Sequence, residues 1–378
     1  MRTHQITTIS LDDSVLAPLA GLDPNLVIAF AAPALFTDPG FAPWLARAFP
    51  QARRVALSTA GEIGNGGVSD NSVVVTALGL ERTPFRIATT SISGMEDSAG
   101  AGRRLAEQLA SPDLKAVILL SQGVAVNGSE LIAGAVAVLG RDIPLTGGLA
   151  GDSGAFKRTW ALLDDTVSDK LMLAIGLYGE AIRFAHGSFG GWQSFGPARL
   201  ATRAEGNVLH ELDGEPALAI YKRYLGDYAR DLPASGLLFP FALLGDDHRD
   251  TGLIRTLLGV DEATGSLTLA GDVPQGSHLR LMHASTEALV DGAEAAATAA
   301  RDMLRSEAPA LALLISCIGR KLVMGDRVDE EVEAVGAVFG QGCTLAGFYS
   351  NGEISPFLAT TECRLHNQTM TITCLAEA

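Results

Sequence analysis

The sequence predicts an α/β fold made of two related α/β halves, in which mixed, partly antiparallel sheets are covered by helices. About 47% of the 378 residues are apolar, and the excess lies in small and aliphatic residues rather than aromatics, which suits closely packed layers. Short apolar runs alternate with helical stretches along the chain. The same order of elements also occurs twice, once in residues 85–152 and again in residues 279–353.

Each element of the first half follows from local signals. The helix at 97–109 can be capped by Asp97 or Ser98, and the helix at 128–139 ends at Gly140. Apolar or alternating segments predict the strands, several of them antiparallel. In chain order, the predicted elements are strands 55–57, 71–78 and 85–90, helix 97–109, strand 116–121, helix 128–139, and strands 171–178 and 182–186.

The second half repeats the central part of this order. Ser285 can cap its first helix, and its buried strand ends in serine, as the buried strand of the first half does. The predicted elements are helix 217–228, strands 254–260, 266–269 and 279–283, helix 286–304, strand 312–316, helix 329–339, and strands 344–349 and 369–374. An internal duplication and a chance likeness between alanine-rich helices both remain open.

The domain boundary is expected between residues 195 and 215. A Gly/Pro-rich break at 189–197 separates the halves, and Glu215-Pro216 opens the next helix. We therefore predict one domain at 1–205 and a second at 206–378.

Composition excludes two classes of partner. The formal net charge is −15 and no basic stripe is present, so nucleic-acid binding is not expected. No apolar run approaches the length of a membrane span, and the first residues lack the apolar core of a signal peptide. The four cysteines form no CxxC pair or zinc spacing. A cytoplasmic protein with free thiols is expected.

Three loops carry a glycine directly before an acidic residue at the end of an apolar run. They are Ser58-Thr-Ala-Gly-Glu-Ile63, Thr146-Gly-Gly-Leu-Ala-Gly-Asp152 and Ser350-Asn-Gly-Glu-Ile354. Glycine permits a tight turn or a close approach to a ligand, and the next residue presents a carboxylate. The loops could form one site, or each acid could brace its own turn.

A small zwitterion is the ligand that these groups favour. Carboxylates would meet an ammonium group, hydroxyls and glycine amides would add hydrogen bonds, and Arg320 could hold a carboxylate. The candidate ligand-binding residues are Ser58, Thr59, Gly61, Glu62, Gly151, Asp152, Cys317, Arg320, Tyr349, Gly352 and Glu353.

Other chemistries have weaker signals. Ser58 lacks the GxSxG pattern of a nucleophile elbow, and Cys317 beside Arg320 is the other possible nucleophile. The donors at 246–250 suggest a solvated loop, so no metal site is predicted. Noncovalent haem needs only an axial ligand in an apolar pocket, and His186 and His283 are the best-placed histidines. The cofactor therefore stays unknown, with haem possible.

The sequence resembles the FIST proteins, in which a FIST N-terminal module precedes a FIST C module. The resemblance rests on the first and third loops above and on Pro144-Leu-Thr-Gly-Gly-Leu-Ala-Gly-Asp152, Asn207-Val-Leu-His-Glu-Leu-Asp-Gly-Glu-Pro216 and Ser316-Cys-Ile-Gly-Arg320 with Glu330-Glu331. The family usually has cysteine where this chain has Leu57, so no role for that thiol carries over.

The resemblance implies a non-catalytic sensory module of bacterial signal transduction that binds a small, amino-acid-like ligand. Some relatives act with a separate histidine kinase or cyclic-dinucleotide enzyme, and some bind haem and sense nitric oxide. The two modules use nearly all of this chain. It would therefore signal through a partner such as a histidine kinase, diguanylate cyclase or phosphodiesterase.

Overall fold

The computed structural model describes residues 1–245, 247–304, 308–356 and 362–378. Its sheets are mixed and carry helices on their outer faces, so the predicted fold class is confirmed. The α-helices of the described residues are Asp13–Ala20, Pro33–Phe36, Phe41–Ala48, Ser98–Leu109, Gly128–Leu139, Ala217–Leu225, Thr286–Leu304, Ile318–Met324 and Asp329–Phe339. Short 3₁₀ helices lie at Met95–Asp97, Gly226–Asp231, Ala234–Leu238 and Gly325–Arg327.

Three six-stranded sheets form the body of the protein. The first has the strand order Arg2–Thr8, Val73–Gly79, Leu26–Ala31, Arg53–Ser58, Ala161–Leu163, Thr166–Ser168. The second has the order Cys363–His366, Gly352–Pro356, Leu145–Leu149, Leu114–Ser121, Leu171–Tyr178, Phe85–Ser91. The third has the order Ile182–Phe189, Met370–Glu377, Leu311–Cys317, Thr344–Ser350, Glu62–Gly64, Gly67–Ser69.

Each of these sheets contains one parallel pair, and the second strand of each pair runs into a Gly-acid loop. The pairs are Leu26–Ala31 with Arg53–Ser58, Leu114–Ser121 with Leu145–Leu149, and Leu311–Cys317 with Thr344–Ser350. Parallel neighbours need a crossover, and helices supply it in all three cases. From the first helix onward, the matched order in residues 85–152 and 279–353 corresponds to the second and third sheets, and the first sheet repeats the parallel pair, its helical crossover and the loop. The predicted match of the opening strands is wrong: Phe85–Ser91 lies in the second sheet, whereas His278–His283 pairs with Gln193–Glu205 in a separate sheet.

The hairpins that follow the three loops are exchanged in a cycle. The hairpin after the first loop, 62–69, extends the third sheet; the one after the second loop, 161–168, extends the first sheet. After the third loop, the antiparallel strands Gly352–Pro356 and Cys363–His366 extend the second sheet. The exchange brings the three loops to one end of the body.

One hydrophobic core lies between the three sheets. It takes Phe30 and Leu57 from the first sheet, Ile175 from the second, and Ile315 and Phe348 from the third. The rings of Phe30 and Phe348 lie 4.8 Å apart between centroids. The opposite face of each sheet packs on its own helices, so every strand of a parallel pair is buried on both faces. This explains why those strands are continuous apolar runs.

A fourth sheet is inserted between Ile182–Phe189 and Thr286–Leu304. Its order is Asp250–Arg255, Phe241–Leu244, His278–His283, Gln193–Glu205, Val208–Leu212, Ser266–Leu269, Leu257–Asp261, and Glu215–Pro216 pairs with Val208–Leu212. Its first and last strands are joined by Thr256 alone, so the sheet curls back on itself. Tyr221 of the helix Ala217–Leu225 fills its core against Phe241.

Three local predictions need correction. The predicted strand at 254–260 is two strands on opposite edges of the curled sheet, because the chain crosses from one edge to the other at Thr256. The predicted helix at 217–228 ends as an α-helix at Leu225 and continues as 3₁₀, where Gly226 adopts a positive φ of 57°. Part of the predicted break at 189–197 belongs to the strand Gln193–Glu205, which pairs with His278–His283.

Candidate functional site

The three Gly-acid loops meet at one hydrogen-bonded junction. The amide of Ala60 donates to the carbonyl of Tyr349 at 2.8 Å, and the amide of Gly151 donates to the carbonyl of Ser58 at 2.9 Å. The amide of Asn351 donates to the carbonyl of Leu149 at 3.1 Å, which closes the contact between the third and second loops. The structure thus brings the predicted loops together through their backbones.

Glu62 and Glu353 have matching, fully enclosed surroundings. Glu62 accepts hydrogen bonds from the hydroxyl of Thr59 and from the amide and hydroxyl of Ser72, at 3.0 and 2.7 Å for the two Ser72 groups. Glu353 accepts from the hydroxyl of Ser350 at 2.7 Å and from the amide and hydroxyl of Thr369 at 3.2 and 3.0 Å. Both side chains are at most 1% exposed.

Burial changes the acidity of both carboxyl groups. Desolvation raises the pKa of Glu353 to about 8, against the hydrogen bonds that favour its charged form. Desolvation likewise raises the pKa of Glu62, with the hydroxyls of Thr59 and Ser72 opposing the shift. The two acids therefore brace the starts of the exchanged hairpins from positions out of contact with solvent.

The raised pKa of Glu353 predicts a pH-dependent stability. The folded pKa lies above the unfolded value of 4.5, so Glu353 stabilises the fold below about pH 4.5, and this contribution is lost as the pH rises through about 8. Glu353→Gln keeps the shape without the charge. We expect its stability relative to the wild type to rise between pH 5 and 9, by on the order of a few kcal/mol, in denaturation curves measured across that range.

Glu333→Gln is the control for this measurement, because Glu333 is exposed on the helix Asp329–Phe339. It should follow the wild-type pH curve. A constant offset between Glu353→Gln and the wild type at all pH values would contradict the buried, neutral state of Glu353.

Asp152 stabilises the turn of its own loop. Its carboxylate accepts from the backbone amides of Phe156 at 2.8 Å, Lys157 at 2.6 Å and Arg158 at 3.0 Å. These bonds shape the turn that carries Phe156 outward. Gly352 packs closely as well, since a β-carbon there would lie 2.9 Å from Leu149.

Arg320 belongs to a buried polar network. Its guanidinium binds Glu331 at 2.7 Å and donates to the carbonyls of Gly190 at 2.5 Å and Leu289 at 2.8 Å. Glu331 also accepts from the hydroxyl of Tyr349 at 2.5 Å and from that of Ser316 at 2.9 Å. Arg320 and Glu331 are 0% exposed.

The two possible nucleophiles have no activating partner in these contacts. The hydroxyl of Ser58 donates to the carbonyl of Gly151 at 2.8 Å and accepts from the amide of Trp160 at 2.8 Å. Cys317 is 4% exposed, and burial raises the pKa of its thiol well above the usual range. A thiol that stays protonated is a poor nucleophile, so the geometry offers no support for catalysis at either residue.

A large cavity lies beside the junction, and we call it the main groove. It has a volume of about 580 Å³. Its walls are formed by Met95, Gly123, Val124, Ala125, Val126, Gly154, Phe156, Pro233, Ala234, Leu237, Leu257, Leu258 and Leu322. The eleven predicted ligand-binding residues do not line it, although Gly154 and Phe156 belong to the loop that Asp152 shapes. The ligand role of those eleven residues stays a prediction.

Exposed apolar side chains concentrate at the main groove. The described residues include seven large apolar side chains that are exposed, and four of them line this cavity: Met95, Phe156, Leu258 and Leu322. Apolar surface of this kind, gathered in a concave site, is typical of ligand binding. The sequence signal for it was a single apolar residue in an otherwise polar or glycine-rich loop, as at Gly94-Met95-Glu96.

A side cavity of about 110 Å³ shares five wall residues with the main groove and adds polar groups. Asn367 is 1% exposed, and its Oδ1 has no hydrogen-bond partner among the described residues. Asn351 donates through Nδ2 to the carbonyl of Gly123 at 3.3 Å, which orients the amide and leaves its Oδ1 without a partner in the same part of the chain. Asp272 also lines this side cavity. The polar end thus presents acceptors.

The two haem-candidate histidines lie elsewhere. His186 is 5% exposed, and burial lowers the pKa of its imidazole to about 4. The ring of His283 packs edge-on against Phe195, with 5.9 Å between centroids. Neither residue lines the main groove or the smaller cavities of about 110, 140 and 180 Å³. The walls of the main groove contain no histidine or cysteine either, so the groove does not fit a haem with such an axial ligand.

Over the described ranges, no group of three or more His, Cys, Asp or Glu residues is arranged to hold a metal ion. Asp246, part of the acidic segment at 246–250, lies outside those ranges. Among the helices described, none is long and apolar enough to cross a membrane.

Curated relatives cover part of the chain. An uncharacterized protein of Methanocaldococcus jannaschii is 28% identical over 212 residues, which is 52% of this chain and 40% of that protein. An uncharacterized protein of Mycobacterium bovis is 28% identical over 174 residues, 44% of each chain. The chain thus matches less than half the length of these relatives.

A solved structure, the cyanuric acid hydrolase from A. caulinodans, aligns over 99% of this chain and 98% of its own, with 10% identity and a TM-score of 0.35. A similarity this low carries no argument about fold or chemistry.

Two family models match adjacent parts of the chain. The FIST N domain matches residues 25–215, and the FIST C domain matches residues 217–356. The walls of the main groove come from both regions, with Met95 through Phe156 in the first and Pro233 through Leu322 in the second. FIST domains are sensory domains of signal transduction. The chain therefore belongs to the FIST family, with a FIST N domain followed by a FIST C domain.

Proposed function

We propose that this protein is a non-catalytic cytoplasmic sensor that binds a small, amino-acid-like ligand and signals through a separate partner protein. The observation that carries the proposal is the main groove, a cavity of about 580 Å³ walled by both family regions and by four exposed apolar side chains. The proposal includes the division into domains 1–205 and 206–378, with the groove between them.

The groove suits a ligand with an apolar body and a hydrogen-bond-donating head. Leu237, Leu257 and Phe156 offer apolar contact, and the Oδ1 atoms of Asn351 and Asn367 would accept from an ammonium group at the polar end. A buried acceptor without a partner is costly, and a ligand donor would remove that cost. Amino acids with apolar side chains combine these features.

Signalling would follow from the position of the ligand between two regions. A ligand shifts a conformational equilibrium only by its differential affinity for the two states. Contacts with Phe156 on one wall and Leu258 on the other would favour the arrangement in which both walls are close. A histidine kinase or a cyclic-di-GMP enzyme would then sense the changed surface.

The cysteines support the cytoplasmic part of the proposal. Cys317, Cys343, Cys363 and Cys374 are free and buried, which suits a reducing compartment.

Binding of amino acids to the groove tests this function. The protein is titrated with each of the twenty amino acids. A true ligand should raise the free energy of unfolding by about 2.7 kcal/mol when its concentration reaches 100 times its dissociation constant. Leu258→Arg places a charge in the apolar wall and should abolish that stabilisation. The readouts are thermal unfolding and calorimetric titration.

Ile9→Arg is the matched control, since Ile9 is 80% exposed and lies outside the groove walls. It should bind as the wild type does. Equal binding by Leu258→Arg, or no heat and no thermal shift with any amino acid, would overturn the proposal.

A further inference from the structure

Another cavity, smaller than the main groove, borders the strand Cys363–His366. It has a volume of about 140 Å³, and we call it the Arg255 cavity. Its walls are Ser129, Ile132, Ala133, Val136, Arg255, Glu362, Cys363, Arg364 and Leu365. One side is therefore the helix Gly128–Leu139, and the other carries two guanidinium groups.

Arg255 is a buried cation without a carboxylate partner among the described residues. It is 5% exposed, and the ion pairs of the described chain do not include it. Its Nε donates to the carbonyl of Asp272 at 2.9 Å and its Nη1 to the carbonyl of Ile254 at 3.0 Å. Nη2 makes no hydrogen bond to the described residues. Burial lowers the pKa of Arg255 to about 10; the negative charge of Asp272 opposes this shift, and the positive charge of Arg364 adds to it.

The contrast with Arg320 shows what is missing at Arg255. Arg320 is buried as well, and Glu331 neutralises it at 2.7 Å. A buried charge is normally paired, because desolvating an unpaired ion costs several kcal/mol by rough estimate. At Arg255, the place of that counter-charge is open to a cavity.

The charges around the cavity favour an anion. Glu362 is held at the rim by Arg141 at 2.5 Å and by Arg364 at 3.1 Å. The wall thus carries two guanidinium groups and one carboxylate that is already paired. Ile132, Val136 and Leu365 give the cavity an apolar wall beside these charges, and charge-assisted hydrogen bonds are stronger in less polar surroundings than in water.

We propose that the Arg255 cavity is a binding site for a small oxyanion, held by the guanidinium groups of Arg255 and Arg364 and by the hydroxyl of Ser129. A phosphate or a carboxylate matches the fork of donors that a guanidinium presents. The site is separate from the main groove, and its occupation does not depend on the function proposed above.

Arg255 also joins this site to the polar end of the groove. It donates to the carbonyl of Asp272 and approaches that of Leu365 at 3.5 Å, and both residues line the side cavity. A β-carbon on Gly271 would lie 3.0 Å from Nε of Arg255. The oxyanion would therefore hold a side chain that forms part of the partition between two cavities.

Thermal unfolding with added phosphate tests the site. Inorganic phosphate should raise the melting temperature with a saturable dose dependence, beyond the effect of sodium chloride at the same ionic strength. Acetate is the second arm, and a response to phosphate or to acetate supports the site and identifies the oxyanion class. A melting temperature that responds to both no more than to chloride overturns it.

Variants connect the effect to the cavity. Arg364→Gln removes one charge-assisted bond at a side chain that is 59% exposed, and should raise the midpoint phosphate concentration about tenfold. Arg255→Met should remove the saturable effect. Ala133→Glu tests the same cavity in case Arg255→Met does not fold. Ala133 is exposed on the helix, so the substitution should be tolerated, and the new carboxylate would occupy the cavity. It should abolish the phosphate response.

Arg47→Gln is the matched control, since it removes one positive charge from an exposed ion pair with Asp13 on the first sheet's helices. It should respond to phosphate as the wild type does. A wild-type response in both Arg364→Gln and Ala133→Glu would contradict the site. Amino-acid binding measured in the same variants separates a failure here from a failure of the groove.

Discussion

Replacing Arg320 by alanine is expected to lower the free energy of unfolding by about 3–5 kcal/mol. The substitution leaves Glu331 as an uncompensated buried charge and removes donors from the carbonyls of Gly190 and Leu289. Gly190 directly follows the strand Ile182–Phe189, and Leu289 lies in the helix Thr286–Leu304. Arg320 therefore ties three parts of the third sheet's layer together, and denaturant titration should show the loss directly.

Arg327→Ala provides the comparison with an exposed arginine of the same region. Arg327 pairs with Glu287 and Glu330, and its side chain is 48% exposed. Exposed ion pairs contribute little to stability because water screens them, so this variant should be nearly as stable as the wild type. Arg320→Met, Glu331→Gln and their double variant complete a cycle, and the two losses should be strongly non-additive. Additive losses, or a cost for Arg320→Ala as small as that for Arg327→Ala, would contradict the buried pair.

Replacing Gly151 by alanine is expected to cost about 3 kcal/mol or more, at the upper end of overpacking effects. A β-carbon at this position would lie 2.5 Å from the amide nitrogen of Ala60, 2.8 Å from the carbonyl carbon of Thr59 and 2.8 Å from the carbonyl oxygen of Tyr349. All three are backbone atoms, two in the first loop and one in Tyr349 directly before the third loop. They cannot move aside as a flexible side chain can. The variant should show a lower melting temperature and a lower denaturation midpoint.

Gly66→Ala is the control, because a β-carbon on Gly66 has nothing within 4 Å. Its stability should stay within about 0.5 kcal/mol of the wild type, as is usual for surface changes. If Gly151→Ala were as stable as Gly66→Ala, the three loops would not meet as closely as the hydrogen bonds between them indicate.

Local sequence signals were enough to predict the main helices and strands of the two repeated stretches. The predicted helices 128–139, 286–304 and 329–339 coincide with Gly128–Leu139, Thr286–Leu304 and Asp329–Phe339. Asn127 caps the first of these by accepting from the amide of Glu130. Apolar periodicity, capping residues and terminal glycines act over a few residues, so the chain displays them without its tertiary contacts.

The strands outside these stretches were harder to predict from the sequence. Two parts of the first sheet were not predicted, Leu26–Ala31 and the hairpin 161–168. Both are held in the fold by pairing with strands that are distant in the sequence. The cyclic exchange of hairpins could not be inferred from adjacency, because each hairpin joins a sheet other than that of the strand before it. Sequence periodicity indicates a strand but does not name its partner.

The sequence by itself determined the α/β class, the family resemblance and the three Gly-acid loops, because each is recorded in short runs of residues. Only the tertiary structure decided what the loops do. The partners of Glu62 and Glu353 include Ser72 and Thr369, which lie 10 and 16 residues away, and a buried acid can be stabilised only by donors that folding brings to it. The main groove is likewise a space between elements spread from Met95 to Leu322, and a space between elements leaves no local pattern in the chain.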